Sequence, residues 1–169
     1  MNRTASDSSF DALFESMAPR VLLLARRFTG DSDMAQDVLQ ETFLAVYRAL
    51  PDFRADSAIE TWVYRIAINE ARRQSRRAAA QRSRERTRSA EHVSDRQPGE
   101  RHDLMALESA IAELPETQRE ALCLLSLRGL RGSLAAEILG IPEGTLYSRA
   151  FAARAALRGL LERSEMPPS

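Results

Sequence analysis

Residues 33–50 read "DMAQDVLQETFLAVYRAL", and they carry two patterns on what is predicted to be a single helix. Apolar residues recur at helical spacing and predict one buried stripe, made of Leu39, Phe43, Val46, Tyr47 and Leu50. A second set, mostly polar, recurs at steps of three and four and shares another ridge: Asp37, Gln40, Glu41 and Leu44. A packed core accounts for the stripe, whereas the ridge is left to face either water or a partner.

The chain on either side of this stretch also shows helical patterns and almost no strand signal. Residues 10–28 keep their apolar side chains in helical phase, with Pro19 as an expected kink or break. The turn that follows offers three possible caps for the next helix, Asp31, Ser32 and Asp33. Ser57 and Glu60 have capping-box spacing, which predicts a further helix over residues 58–77.

A polar segment separates this half of the chain from the rest. Residues 78–103 have almost no large apolar side chains and are rich in Arg, Ser, Glu and Gln, so burial cannot offset the entropy of ordering them. We predict a flexible or partly helical linker between two small helical domains, residues 1–77 and 104–169. His92 and His102 lie in the linker without a supporting ligand cluster, so neither a metal site nor a cofactor is predicted.

The C-terminal half has a pattern of helices interrupted by turns. An amphipathic helix breaks at Leu114 and Pro115, and a second helix runs to about Gly129. Residues 133–161 then predict a short helix, a turn at Gly140 and a longer helix. This arrangement is typical of a DNA-binding helix-turn-helix, although an ordinary helical hairpin has the same spacing. The predicted fold is therefore all-α, with a helix-turn-helix in the C-terminal domain.

Charge is unevenly distributed along the chain. The net charge is zero, but residues 61–104 carry 11 arginines against 6 carboxylates. All 24 basic residues are arginine, whose planar guanidinium suits bidentate contacts to phosphate. A GC-rich genome explains the absence of lysine equally well.

Several protein classes are excluded by composition. Cys123 is the only cysteine, so a disulfide framework or a cysteine zinc site cannot form, and we predict a buried small hydrophobe in a reducing compartment. No apolar run reaches the roughly 20 residues needed to span a bilayer, and the polar start lacks the apolar core of a signal peptide. No arrangement of acid, base and nucleophile suggests an enzyme. A soluble cytoplasmic protein without membrane insertion is predicted.

Two blocks of sequence resemble a known family. Residues 33–77 resemble the second conserved region of the extracytoplasmic-function (group IV) sigma factors of bacterial RNA polymerase. "LPETQREALCLLSLRGL" at residues 114–130, followed by "AAEILGIPEGTLYSRAFAARAAL" at residues 135–157, resembles their fourth region. The resemblance implies an alternative sigma factor that binds core polymerase, recognises −10 and −35 promoter elements and promotes melting.

The resemblance implies roles for the first block. The polar ridge of Asp37, Gln40, Glu41 and Leu44 would dock on the clamp helices of the largest polymerase subunit. The following helix would bind the −10 element, with Asn69 reading a base edge, Tyr64 stacking on a base, and arginines holding phosphates: Arg65, Arg72, Arg73 and Arg76. Trp62, in phase with Ile59 and Ile66, is expected in the core.

The second block implies −35 recognition and contact with the polymerase flap. The residues expected at the DNA are Thr145, Tyr147, Ser148 and Arg149 for base readout, and Arg154 for a phosphate. The chain departs from the family at "RGS", residues 131–133, where Ser133 is the expected cap, and at Tyr147 and Ala152, where basic residues are common. These departures predict weaker −35 binding. An anti-sigma partner and a monomeric free state are also expected.

Two other functions fit parts of the same sequence. One is a stand-alone helix-turn-helix transcription regulator whose N-terminal domain senses or dimerises. The other is a sigma-like interaction protein that binds polymerase or a regulator without using DNA. Promoter-dependent transcription with purified core polymerase distinguishes these from an initiation factor.

Overall fold

The computed structural model describes residues 3–88, 107 and 110–165, and within them the side chains of 9–84, 107 and 110–162. Over this part of the chain the regular structure is helical, without a strand, as the sequence predicted. In chain order the elements are α1 (Arg3–Thr29), α2 (Ser32–Ala49), a short 3₁₀ helix (Leu50–Asp52), α3 (Ile59–Arg88), α4 (Glu116–Leu125), α5 (Gly132–Leu139) and α6 (Glu143–Glu165). The predicted linker is described only to Arg88; its remainder, with His92 and His102, lies outside the described residues.

Helices α1, α2 and α3 pack on one another around a common apolar core. Helix α1 runs through Pro19, so the expected break is wrong. Pro19 cannot donate to the carbonyl of Glu15, but both residues are exposed and water can bind that oxygen. Burial of Met17 and Val21 on the opposite face stabilises the helix on both sides of the proline.

The joint between α1 and α2 is fixed by local hydrogen bonds. The Thr29 hydroxyl donates to the Ala25 carbonyl at 2.9 Å, and Gly30 has a φ of +66°, which a glycine adopts without strain. Among the three predicted caps the structure uses Asp31, whose carboxylate accepts from the Met34 N–H at 2.7 Å. This cap sets where the polar ridge of α2 begins.

The start of α3 differs from the predicted capping box. The N–H of Trp62 donates to the carbonyl of Ala58 at 3.1 Å, so Ala58 is the N-terminal boundary and Ser57 lies outside the helix. Glu60 is then too early in the helix to complete the box. Its carboxylate lies 3.9 Å from the Arg20 guanidinium of α1 instead.

Helices α4, α5 and α6 form the second unit, and the last two make the predicted helix-turn-helix. Gly140 ends α5 with a φ of +64°, and the N–H of Ile141 donates back to the Ala136 carbonyl at 3.1 Å. Helix α6 begins directly after Pro142, whose fixed φ suits the start of a helix. The longer helix therefore projects from a tight glycine turn, as expected.

The two units are in contact. Helix α4 packs on α1, and α5 packs on α3, so the buried apolar residues of both halves form one contiguous cluster. Within the described parts of the chain, no helix is long and apolar enough to cross a membrane. The contact with α4 and α5 covers part of the arginine-bearing end of α3, and this determines the geometry of the candidate site.

Candidate polymerase and nucleic-acid interface

The polar ridge of α2 faces outward. Asp37, Gln40 and Leu44 are exposed, with Leu44 at 46%, whereas Val38 and Val46 on the opposite side are fully buried. Glu41 is half-buried, because the Arg73 guanidinium of α3 lies 3.4 Å from its carboxylate. The structure thus brings the four predicted residues together on one accessible face.

The arginine-bearing face of α3 lies opposite its buried alanines. Ala67 and Ala71 are buried, and the predicted DNA-binding residues, apart from Tyr64, follow the other side of the helix: Arg65, Asn69, Arg72, Arg73 and Arg76. Arg73 pairs locally with Glu70 at 2.5 Å. The other arginines of this face reach across to the C-terminal unit.

Arg72 makes a bidentate ion pair with a buried carboxylate of α4. Its Nε donates to Glu120 Oε1 at 2.5 Å and its Nη2 to Oε2 at 2.7 Å, while Nη1 donates to the Asn69 side-chain oxygen at 3.1 Å. The Glu120 side chain is only 2% exposed. Because a buried carboxylate needs a paired cation, Arg72 satisfies the charge of Glu120 in this arrangement.

Two further contacts extend this pairing along α3. Arg76 donates two hydrogen bonds to the carboxylate of Glu116, which lies one helical turn before Glu120. Its Nε donates to Oε2 at 3.1 Å and its Nη2 to Oε1 at 2.6 Å. Arg65 Nη2 donates to the backbone carbonyl of Glu137 in α5 at 2.9 Å. Three of the arginines predicted to hold DNA phosphates are therefore occupied by acceptors from the C-terminal unit.

Hydrogen bonding within these pairs shifts the pKa values of Glu116 and Arg72. The hydrogen bond from Arg76 lowers the pKa of the Glu116 carboxyl below its ordinary value. The bond to Glu120 raises the pKa of Arg72 despite the opposing effect of burial. Since Glu116 loses its charge only when the pH falls through its lowered pKa, its pair with Arg76 stays ionised throughout the neutral range.

Tyr64 does not lie where the −10 assignment requires. Its side chain is 0% exposed, its hydroxyl finds no hydrogen-bond partner among the residues that the structure describes, and burial raises its pKa. A ring without an exposed face cannot stack on a base, so the assignment of Tyr64 to DNA stacking is wrong for this fold. Trp62 is half-buried and packs against Phe53 with ring centroids 5.0 Å apart, in agreement with its predicted core role.

The predicted −35 residues share the N-terminal half of α6. Tyr147, Ser148 and Arg154 are exposed, and Thr145 and Arg149 are half-buried. The Ser148 hydroxyl donates to the Thr145 carbonyl at 3.0 Å, which leaves its oxygen lone pairs available as acceptors. The opposite face of α6, with Leu146, Ala150 and Ala153, is buried.

The two departures at "RGS" and Tyr147 fit together in space. Gly132 is the first residue of α5, and a Cβ there would collide with the Tyr147 hydroxyl and lie 2.8 Å from the ring carbon that bears it. The absence of a side chain at Gly132 thus makes room for the ring of Tyr147. The cap expected at Ser133 is wrong, because α5 already begins at Gly132 after Arg131.

We expect Gly132→Ala to change the free energy of unfolding by about 1 kcal/mol or less, because the Tyr147 ring that the methyl group meets is 49% exposed and can rotate away, while alanine favours the helix. Urea denaturation measures the change. Gly144→Ala is the matched control, since a Cβ at Gly144 meets nothing within 4 Å. A large loss of stability for Gly132→Ala alone would show that Tyr147 is held rigidly against α5.

Comparison with known proteins identifies the family. The Sigma-70 region 2 model matches residues 13–81, and the Sigma-70 region 4 model matches residues 104–157. The RNA polymerase sigma-H factor of Pseudomonas aeruginosa is 37% identical over 91% of this chain and 86% of that protein. The ECF sigma-E factor of Salmonella typhimurium is 35% identical over 88% and 84%. The chain belongs to the extracytoplasmic-function sigma factors.

Solved structures agree with this assignment. The sigma factor RpoE of Bartonella quintana, crystallised with the anti-sigma factor NepR, is 26% identical, covers 91% of this chain and 97% of its own, and has a TM-score of 0.68. CnrH, solved with the cytosolic domain of CnrY, is 26% identical with coverages of 93% and 90% and a TM-score of 0.70. The present chain is thus an alternative sigma factor for transcription initiation, and sigma factors are non-catalytic regulators.

One exposed residue of this sigma factor was missed from sequence. Phe151 is 74% exposed and lies one turn after Tyr147 on the outward face of α6. The sequence does carry a sign of this exposure. By helical geometry the side chain of Phe151 points away from the face of α6 that carries the buried Ala150 and Ala153. An exposed phenylalanine there offers an apolar contact beside the predicted base-reading residues.

The only thiol of the sigma factor is inert. Cys123 is 2% exposed, and burial raises its pKa to about 12, which confirms the predicted small core hydrophobe. In the parts of the chain that the structure describes, no group of three or more His, Cys, Asp or Glu side chains is placed to hold a metal.

Proposed function

We propose that this sigma factor binds core RNA polymerase, directs it to promoters with −10 and −35 elements, and helps to open the strands. The observation that carries the proposal is the presence of both sigma regions, in the family's order, on one chain. The outward position of the α2 ridge and of the α6 face supports it. Polymerase transcribes in the bacterial cytoplasm, where we expect this protein to act.

The polymerase contacts that we propose lie on both units. On the first, the carboxylates Asp37 and Glu41, with Gln40 and Leu44, meet cationic side chains of the clamp helices of the largest subunit. The exposed position of Leu44, at 46%, supports an apolar contact within that charged ridge. On the second, region 4 docks on the polymerase flap.

The DNA contacts that we propose follow the two arginine-bearing faces. On α3, Asn69 reads a base edge, and phosphates are held by Arg65, Arg72, Arg73 and Arg76. On α6, the base-reading residues are Thr145, Tyr147, Ser148 and Arg149, with Arg154 at a phosphate. Arg149 is half-buried, which supports a fixed orientation of its guanidinium.

A regulatory partner is also proposed. RpoE of Bartonella quintana was solved with the anti-sigma factor NepR, and CnrH with the cytosolic domain of CnrY. The similarity of this chain to both supports binding of an anti-sigma factor. Co-purification with proteins expressed from neighbouring genes tests it.

We expect Arg149→Ala to change preference among −35 sequences by about 1–3 kcal/mol, because it removes a bidentate base contact. Arg154→Ala, at an exposed phosphate position on the same helix, should weaken all sequences alike. Selection from randomised −35 elements by the reconstituted holoenzyme measures both effects. An unchanged enriched motif with Arg149→Ala would argue against base readout by this side chain.

The decisive experiment is transcription in vitro with purified core polymerase. Addition of this protein should produce transcripts from promoters selected by the holoenzyme, and core polymerase alone should not. DNA binding without any effect on transcription would favour a stand-alone regulator. Polymerase binding without promoter use would favour an interaction protein.

A further inference from the structure

Part of the surface proposed for −10 DNA is occupied by the C-terminal unit of the same chain. Arg72 and Arg76 each direct their guanidinium group at a carboxylate of α4, Glu120 and Glu116 respectively. These four residues form what we call the carboxylate clasp. The clasp joins the two sigma regions directly, at the end of α3 where the proposed phosphate contacts lie.

The clasp and DNA need the same atoms. A phosphate binds arginine through the same N–H edges that a carboxylate uses in a bidentate pair. In Arg72 both the Nε and the Nη2 groups are bonded to Glu120, whose side chain is 2% exposed. A phosphate cannot reach this edge until Glu120 withdraws, so the two contacts exclude each other.

Other contacts between the two units support the same arrangement. Arg27 of α1 donates to both the carbonyl and the hydroxyl of Ser126, the latter at 2.6 Å. The Arg119 guanidinium lies 5.1 Å from the ring centre of Phe28. The outward face of α6 is not covered in this way, since Phe151 is 74% exposed. Closure therefore occupies Arg65, Arg72 and Arg76 of the proposed −10 surface, whereas Asn69, Arg73 and the −35 surface stay accessible.

We propose that the carboxylate clasp holds the free sigma factor closed, with Glu116 and Glu120 competing against −10 DNA for Arg76 and Arg72. This inference rests on the proposed function, because it takes the arginines of α3 as the −10 contacts. Binding of −10 DNA through Arg72 then requires the two regions to separate. The apparent DNA affinity of the free protein is its intrinsic affinity reduced by the fraction of molecules that are open.

The test compares Glu116→Gln/Glu120→Gln with Glu113→Gln/Glu162→Gln in the full chain. Both pairs remove two negative charges, but Glu113 and Glu162 are exposed and lie outside the clasp. Glutamine keeps the shape of glutamate, so packing is preserved; circular dichroism checks this. Small-angle scattering measures opening, and a fluorescein-labelled single-stranded oligonucleotide of mixed sequence measures binding, because phosphate contacts carry no sequence information.

We expect the clasp variant to have a larger radius of gyration and to bind the oligonucleotide about tenfold more tightly or better, with the control pair unchanged. An unchanged radius of gyration would overturn the clasp, whatever the binding. Opening without tighter binding would instead overturn the −10 role of these arginines. Should the double variant fold poorly, Glu116→Gln alone, at a partly exposed position, should shift both readouts in the same direction.

Discussion

Asp37→Arg combined with Glu41→Arg is expected to weaken binding to core polymerase by about 2–5 kcal/mol, because two carboxylates that we propose to meet cationic partners become repulsive. Asp37 is exposed, so its reversal should leave the helix content unchanged. Competition against labelled wild-type protein for core polymerase measures the loss. Asp37→Arg alone gives the cleaner measurement, since an arginine at position 41 would also repel Arg73, now 3.4 Å from Glu41.

The control for this experiment is Glu15→Arg on α1. It makes the same change of charge as Asp37→Arg alone, at an exposed carboxylate outside the α2 ridge. Normal competition by the control together with weak competition by the ridge variant would assign the effect to position rather than net charge. If both variants compete like the wild type, the ridge is only a solvated surface.

Phe28→Ala is expected to lower the free energy of unfolding by about 3–5 kcal/mol. The ring of Phe28 is 0% exposed at the end of α1, and the Arg119 guanidinium of α4 lies over it. Its removal leaves a cavity in the first unit and takes a cation–π partner from the second. Urea denaturation followed by circular dichroism gives the value.

A leucine on the same helix provides the comparison. Leu23 is 40% exposed, so Leu23→Ala should cost about 1 kcal/mol or less. Similar losses for the two variants would mean that Phe28 is less tightly packed than its burial indicates.

The helices and their joints could be predicted because local physics determines them. The cap of α2 and the turn after α5 depend on neighbouring residues within one turn; the sequence placed Asp31 among three possible caps and a turn at Gly140, and the structure uses both. The break expected at Pro19 does not form, because burial of Met17 and Val21 stabilises the helix around it. Tertiary packing outweighed the local cost of the proline.

Tyr64 shows why the buried face of α3 was predicted too narrowly. The apolar phase of Ile59 and Ile66 suggested a single stripe, but α3 packs on α1 and α2 and also on α5. A helix with several partners buries a wider face, which takes in Tyr64 and Ile68. The Arg20 guanidinium of α1 lies 5.8 Å from the centre of the Tyr64 ring, and Ile68 lines one cavity with Ile138 of α5. Neither partner helix is adjacent to α3 in the chain, so the periodicity of α3 does not reveal it.

The carboxylate clasp was beyond sequence reasoning for a related reason. Arg72 and Glu120 are 48 residues apart, on either side of the polar segment. Each separately has the pattern of an ordinary surface charge, and nothing in the spacing indicates that they meet. By contrast, the ridge of Asp37 and Leu44 could be placed correctly, because helical geometry alone decides which residues share a face.

The single thiol of the protein, at buried Cys123, allows opening of the C-terminal core to be measured by chemical labelling. A thiol-reactive dye can label it only after the apolar packing around α4 has loosened, because the side chain is 2% exposed and burial disfavours its thiolate. Labelling rates on the intact, unmodified chain would therefore follow the population of molecules whose C-terminal core is transiently open. Polymerase, DNA or an inhibitory partner that stabilises this core would lower the labelling rate of Cys123. The effect of each ligand on core opening can therefore be measured without introducing a further cysteine.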